Sequence, residues 1–130
     1  MYWGANDLSA TVMVVDDRTG IRRLLQEVLQ GDGYQVITAS GGAEALELVK
    51  KSTVDLVLLD MKMSGMDGLE TLTLLKKLCP QVIILIMTAY EELEVLKEAA
   101  RRGAAGYISK PFDIDDLKTV VAGKLRAESA

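Results

Sequence analysis

The chain contains no histidine and a single cysteine in 130 residues. The first absence removes the commonest general base and any phosphohistidine carried by the chain itself. The second removes a disulfide framework. It leaves Cys79 as an inert residue at a helix end and fits a reducing compartment. Acids outnumber bases, 19 against 15, for a net charge of −4. That balance argues against nucleic-acid binding, which needs a basic patch. No apolar stretch reaches the roughly 20 residues of a membrane span. No basic segment followed by an apolar one opens the chain, so no signal peptide is read. These absences lead us to expect a cytoplasmic protein that binds neither nucleic acid nor membrane, and its working form is expected to be a monomer.

What remains is the composition of an ordinary globular domain, 49% hydrophobic and 26% charged. A domain of this length buries roughly two-thirds of its unfolded surface. Residues 1–10 read as a loose lead-in with an incidental Trp3, residues 11–126 as the domain and residues 127–130 as a tail. Strand and helix patterns alternate five times. A strand over Thr11 to Val15 precedes a helix carrying Ile21, Leu24, Leu25, Val28 and Leu29, which Gly31-Asp32-Gly33 stops. Tyr34 to Ala39 reads as the second strand, followed by a helix with Ala45, Leu46, Leu48 and Val49. The third strand ends at Asp60, and its helix carries Leu69, Leu72, Leu75 and Leu78 with Pro80 just beyond. Val82 to Met87 is the most apolar run, as suits a strand buried on both faces. A helix over about Glu91 to Arg102, a strand over Gly106 to Ser109 and a last helix capped by Asp113 complete the pattern. Such repeated units imply an α/β fold with a parallel sheet, right-handed crossovers and helices on both faces.

Five polar side chains fall at strand ends: Asp16 and Asp17, Asp60, Thr88 and Lys110. In a parallel sheet these residues meet at the carboxyl edge, where open α/β sheets place their sites. Three crowded carboxylates repel one another unless a cation joins them, and a hard ion such as Mg²⁺ suits an oxygen cluster. A hydroxyl and an ammonium beside it can hold a phosphoryl group. An acid pair after a strand is in isolation often only a helix cap. The order of all four strand-end signatures is what carries weight. The methionines nearby, Met61, Met63 and Met66, are too soft for Mg²⁺ and read as packing.

Over about Thr11 to Arg126 the chain resembles the receiver domain of bacterial two-component response regulators. The resemblance rests on Val14-Val15-Asp16-Asp17, Leu58-Leu59-Asp60-Met61-Lys62-Met63, Met66-Asp67-Gly68, Met87-Thr88-Ala89-Tyr90 and Lys110-Pro111-Phe112. Within that family it looks most like the stand-alone phosphorelay receivers of sporulation, through Asp17-Arg18-Thr19-Gly20-Ile21-Arg22 and Lys110-Pro111-Phe112-Asp113-Ile114-Asp115. The resemblance implies a flavodoxin-like (βα)5 fold with strand order 2-1-3-4-5. It makes Asp60 the phosphoryl acceptor from a phosphohistidine partner, a sensor histidine kinase or a histidine phosphotransferase. Mg²⁺ would be bound directly by Asp17, Asp60 and the carbonyl of Lys62, and through water by Asp16. Thr88 and Lys110 would hold phosphoryl oxygens, Ala89 would leave room for the group, and Lys110-Pro111 would be cis. Thr88 and Tyr107 would form the switch.

The first helix also suggests how a partner docks. Its apolar stripe spans about 140°, wider than the ~100° a core face needs, so one edge should reach the surface. Ile21 and Leu24 lie nearest the site, and Gly20 leaves room for close approach. By the same resemblance, Gly20, Ile21, Leu24, Pro111 and Phe112 would meet a four-helix bundle bearing the phosphohistidine. Ser64 stands where the family usually has proline, removing a loop restraint of about 0.4–1 kcal/mol.

Other readings fit less well. A haloacid-dehalogenase-type phosphatase wants a second acid two residues after its nucleophile, where this chain has Lys62. A flavin-binding domain would need a phosphate-cradling loop where Asp16-Asp17 would repel phosphate. A silent scaffold would have no use for five site residues. No separate enzyme activity is expected. Among signalling roles, a relay intermediate is expected because no output module is read after the last helix. A chemotaxis-type regulator and a receiver fragment of a DNA-binding regulator are the alternatives.

Overall fold

The computed structural model describes residues 10–62, 67–89 and 93–129, with only the backbone of the last two. Its elements are β1 (Thr11–Val15), α1 (Thr19–Gly31), β2 (Gln35–Ala39), α2 (Gly42–Lys51), β3 (Leu56–Asp60), α3 (Gly68–Leu78), β4 (Ile83–Thr88), α4 (Leu93–Arg101), β5 (Gly106–Ser109) and α5 (Ile114–Ser129). The strands form one parallel sheet in the order β2-β1-β3-β4-β5. This is the flavodoxin-like order that the resemblance implies. Trp3, Met63, Ser64, Met66 and Tyr90 to Glu92, all weighed in the sequence reading, lie outside the described residues.

The two-residue period of a strand divides the apolar side chains between two cores. Val12, Val14, Leu56, Leu58, Leu85 and Met87 pack with α1 and α5 through Leu25, Leu29, Leu117 and Val121. Met13, Val15, Val57, Leu59, Ile84 and Ile86 pack on the other face with Ala45 and Val49 of α2, Leu72 and Leu75 of α3, and Ala99 of α4. Every residue of β3 and β4 is buried. That explains why their sequences are continuous apolar runs rather than alternating ones.

Turn hydrogen bonds shift several element ends by a residue or so from the sequence reading. Tyr34 does not open β2, because its N–H donates back to the Leu29 carbonyl (3.2 Å), beside Gly33 at φ 96°. Val82 similarly donates to Cys79 (3.1 Å), so β4 starts at Ile83. At the far end of α4, Gly103 at φ 109° closes the helix and Arg102 falls in the turn. The cap of α5 is Asp113, whose carboxylate accepts the Asp116 N–H at 3.1 Å.

Candidate functional site

Strand β1 lies between β2 and β3, so the chain leaves it toward one edge of the sheet and later returns on its other side. Such a reversal opens a crevice at the strands' carboxyl ends. Here it receives Asp16 and Asp17 from the end of β1 and Asp60 from the end of β3. Ligand oxygens of these three carboxylates lie within 4.8 Å of one another. Asp16 and Asp60 are buried, while Asp17 is exposed. A tight set of oxygen donors with one open side fits a hard divalent ion.

Lys110 joins the cluster from the turn after β5. Its Nζ donates to Asp60 Oδ1 at 3.0 Å and to Asp16 Oδ2 at 3.3 Å. The backbone brings it there: Lys110 N–H donates to the Thr88 carbonyl at 2.7 Å, and Thr88 pairs with Ser109 at the end of the β4–β5 ladder. The Lys110–Pro111 peptide is cis. Thr88 itself is buried at the end of β4, while Ala89 beyond it is exposed. Lys62 N–H donates to Asp60 Oδ1 at 3.2 Å, turning the backbone just after β3 toward the acceptor. The α3 N-terminus packs closely against Met61. A Cβ at Gly68 would lie 2.8 Å from Met61 Cα.

Two arginines belong to the site that the sequence reading gave no role. Arg18 donates to Asp16 three times: its backbone N–H and Nε to Oδ1 at 2.9 and 3.2 Å, and Nη2 to Oδ2 at 3.2 Å. Arg22 Nη1 donates to the Asp16 backbone carbonyl at 2.8 Å, and its Nη2 to Thr19 Oγ1 at 3.2 Å. Burial is the largest single influence on Asp16 and pushes its pKa up. The Arg18 hydrogen bonds and the charges of Lys110 and Arg18 together outweigh it and hold the carboxyl below its ordinary value. The only sequence signal for this was a base directly after two acids.

The remaining candidates lie on α1, just after Lys110 and on the edge strand. Gly20 is exposed, with open space where a Cβ would stand. Leu24 is 41% exposed, whereas Ile21 and Phe112 are half-buried against the α1–α5 core and Pro111 is exposed. Tyr107, on β5, is 45% exposed.

Residues 12–122 match the response regulator receiver domain. The chain is 43% identical over 122 residues to sporulation initiation phosphotransferase F of Bacillus subtilis (strain 168), covering 94% of this chain and 98% of that protein. It is 44% identical over 110 residues to the transcriptional regulatory protein ZraR of Escherichia coli (strain K12), covering 85% of this chain but spanning only 25% of that regulator's length. Among solved structures, a CheY-like response regulator receiver domain protein from Methanospirillum hungatei JF-1 superposes with a TM-score of 0.90 at 30% identity, covering 93% of this chain and 97% of that one. The chain belongs to the response regulator receiver domain family. It is a two-component signalling module, and its function is that of the family, acceptance of a phosphoryl group and its relay or conversion into a signal.

Proposed function

We propose that Asp60 is the acceptor and that Asp16, Asp17, Thr88 and Lys110 make it one. The observation that carries this is the Lys110 ammonium, 3.0 Å from Asp60 and 3.3 Å from Asp16 on a cluster of three carboxylates. An Asp60 oxygen attacks the phosphorus of a partner's phosphohistidine. The O–P bond forms as the N–P bond breaks, and the electron pair leaves with the imidazole. Asp17, Asp60 and the Lys62 carbonyl would hold Mg²⁺ directly, and Asp16 through water. The ion would neutralise charge gathering on the phosphoryl oxygens. Lys110 then places its charge on one of those oxygens and Thr88 donates to another, while the small Ala89 leaves the group room. Water later cleaves the acyl phosphate, so the only reactions catalysed are the chain's own phosphorylation and dephosphorylation.

Switching follows from the same atoms. Thr88, drawn toward the phosphoryl group, vacates space beside β4, and Tyr107 turns inward from its exposed position to fill it. The partner is a histidine kinase or a histidine phosphotransferase. It docks on Gly20, Ile21 and Leu24 of α1 and on Pro111 and Phe112, which follow Lys110. The similarity along almost the whole of sporulation initiation phosphotransferase F supports a relay role. The place of work is the cytoplasm, and the working form is a monomer without nucleic acid. No helix among the described residues is long and apolar enough to cross a membrane. Treatment with acetyl phosphate and Mg²⁺ tests the acceptor. Intact mass should show one added phosphoryl group on the wild type and none on Asp60→Asn. Equal labelling of both would place the acceptor elsewhere.

A further inference from the structure

A carboxylate has about four lone-pair sites on its two oxygens. All four of Asp16's are taken. Oδ1 accepts the Arg18 backbone N–H and Arg18 Nε, and Oδ2 accepts Arg18 Nη2 and Lys110 Nζ. A carboxylate so occupied has no lone pair for a water that would join it to a metal ion. One donor has to leave first. The backbone N–H is fixed by the chain. Lys110 is only 12% exposed and is shared with Asp60. The Arg18 side chain is 53% exposed, so water can solvate its guanidinium when it lets go. It is therefore the donor free to move.

We infer that Arg18 is a built-in counter-cation that Mg²⁺ must displace from Asp16, so that this residue sets the magnesium concentration at which the site becomes competent. The inference rests on reading the three carboxylates as the Mg²⁺ site. In the metal-free protein the guanidinium and the Lys110 ammonium offset the repulsion among Asp16, Asp17 and Asp60. The ion takes over that task when it binds, and the guanidinium swings into solvent at the lip of the crevice. Arg18 is thus a positioning residue, acting on the reaction through Asp16.

Calorimetric titration of the metal-free protein with MgCl₂ tests this, with Arg18→Gln and Arg22→Gln beside the wild type. Both variants remove one positive charge near the cluster. Only Arg18→Gln empties lone pairs of the Asp16 carboxylate, because Arg22 holds the Asp16 backbone carbonyl and Thr19. The Mg²⁺ Kd should tighten about tenfold in Arg18→Gln, equivalent to about 1.4 kcal/mol, and much less in Arg22→Gln. Melting curves should show metal-free Arg18→Gln below the wild type and the gap closing at saturating Mg²⁺. A purely structural role would lower both curves and leave the Kd unimproved. An unchanged or weaker Kd in Arg18→Gln overturns the inference, as does equal tightening in both variants, which would mean charge alone is responsible. If neither the wild type nor Arg18→Gln takes up Mg²⁺, the reading of the cluster as a metal site fails and this inference with it. Acetyl phosphate labelling of Asp60 without added metal would then separate that failure from failure of the acceptor itself.

Discussion

The centre of the sheet and its β5 edge are packed on different terms. In β3 and β4 every side chain is buried, and helices cover both faces. In β5 only Ile108 is buried and Tyr107 stands 45% exposed. The helix before it, α4, buries only Ala99 among its described residues. The candidate site straddles this divide. Its acids hang from β1 and β3 in the dense part, while Lys110 and Tyr107 belong to the thin edge. An acceptor needs fixed geometry, because misplacement by an ångström costs rate. A reporter needs to move, and regions with few buried apolar contacts open at the least cost. The division of packing matches the proposed division of labour.

The largest effect that could break this comparison is loss of stability on truncating the two regions equally. Leu58→Ala, in the fully buried middle of β3, should cost about 2–5 kcal/mol in urea unfolding. Leu96→Ala, on half-buried α4, should cost less than about 2 kcal/mol, since only part of its surface leaves water. Equal losses would mean that α4 is held as firmly as the centre, and the edge would no longer be a natural place for movement.

A smaller effect sharpens the comparison at the seam between acceptor and helix. The Cβ added by Gly68→Ala would lie 2.8 Å from Met61 Cα and from Met61 Sδ. The sulfur can swing aside, but the backbone has to shift. Overpacking of this kind should cost about 1–3 kcal/mol. Because Met61 follows Asp60 directly, labelling by acetyl phosphate should slow as well. A variant as stable and as fast as the wild type would show that the loop after β3 yields freely, against the view that the acceptor side is rigid.

How much of this was legible in the sequence differs along the same divide. The dense strands announced themselves, since Leu56-Val57-Leu58-Leu59 and Ile83-Ile84-Leu85-Ile86 have no polar face to hide. Their ends put Asp60 and Thr88 on the carboxyl edge by pattern alone, and Asp16, Asp17 and Lys110 follow from the same rule. Strand order came from the family resemblance, because periodicity says nothing about which strands are neighbours. Element ends at Tyr34 and Val82 depended on turn hydrogen bonds, which apolar patterning does not encode. Arg18 was the more instructive gap. A half-exposed arginine after two acids reads as a solvated charge, and only the placement of its guanidinium on both Asp16 oxygens makes it part of the site.

The smallest expected change in stability belongs to Leu24, and it separates docking from core packing on the dense side itself. Helix α1 buries Leu25 and Leu29 completely, whereas Leu24 is 41% exposed. The neighbouring positions face different surroundings because successive helical residues turn by about 100°. A side chain already largely hydrated leaves little cavity when shortened. Leu24→Ala should therefore cost less than about 1 kcal/mol, against about 2–5 kcal/mol for Leu25→Ala. Docking makes the opposite demand, since an exposed leucine on α1 is apolar surface that a partner helix can cover. Transfer from a histidine kinase or phosphotransferase to Leu24→Ala should fall several-fold, while labelling by acetyl phosphate, which needs no docking surface, stays at the wild-type rate. Equal slowing with both donors would mean that the substitution disturbs the acceptor rather than the docking face. A stability loss as large as that of Leu25→Ala would make Leu24 a core residue, and the proposed patch would then shrink to Gly20, Ile21, Pro111 and Phe112.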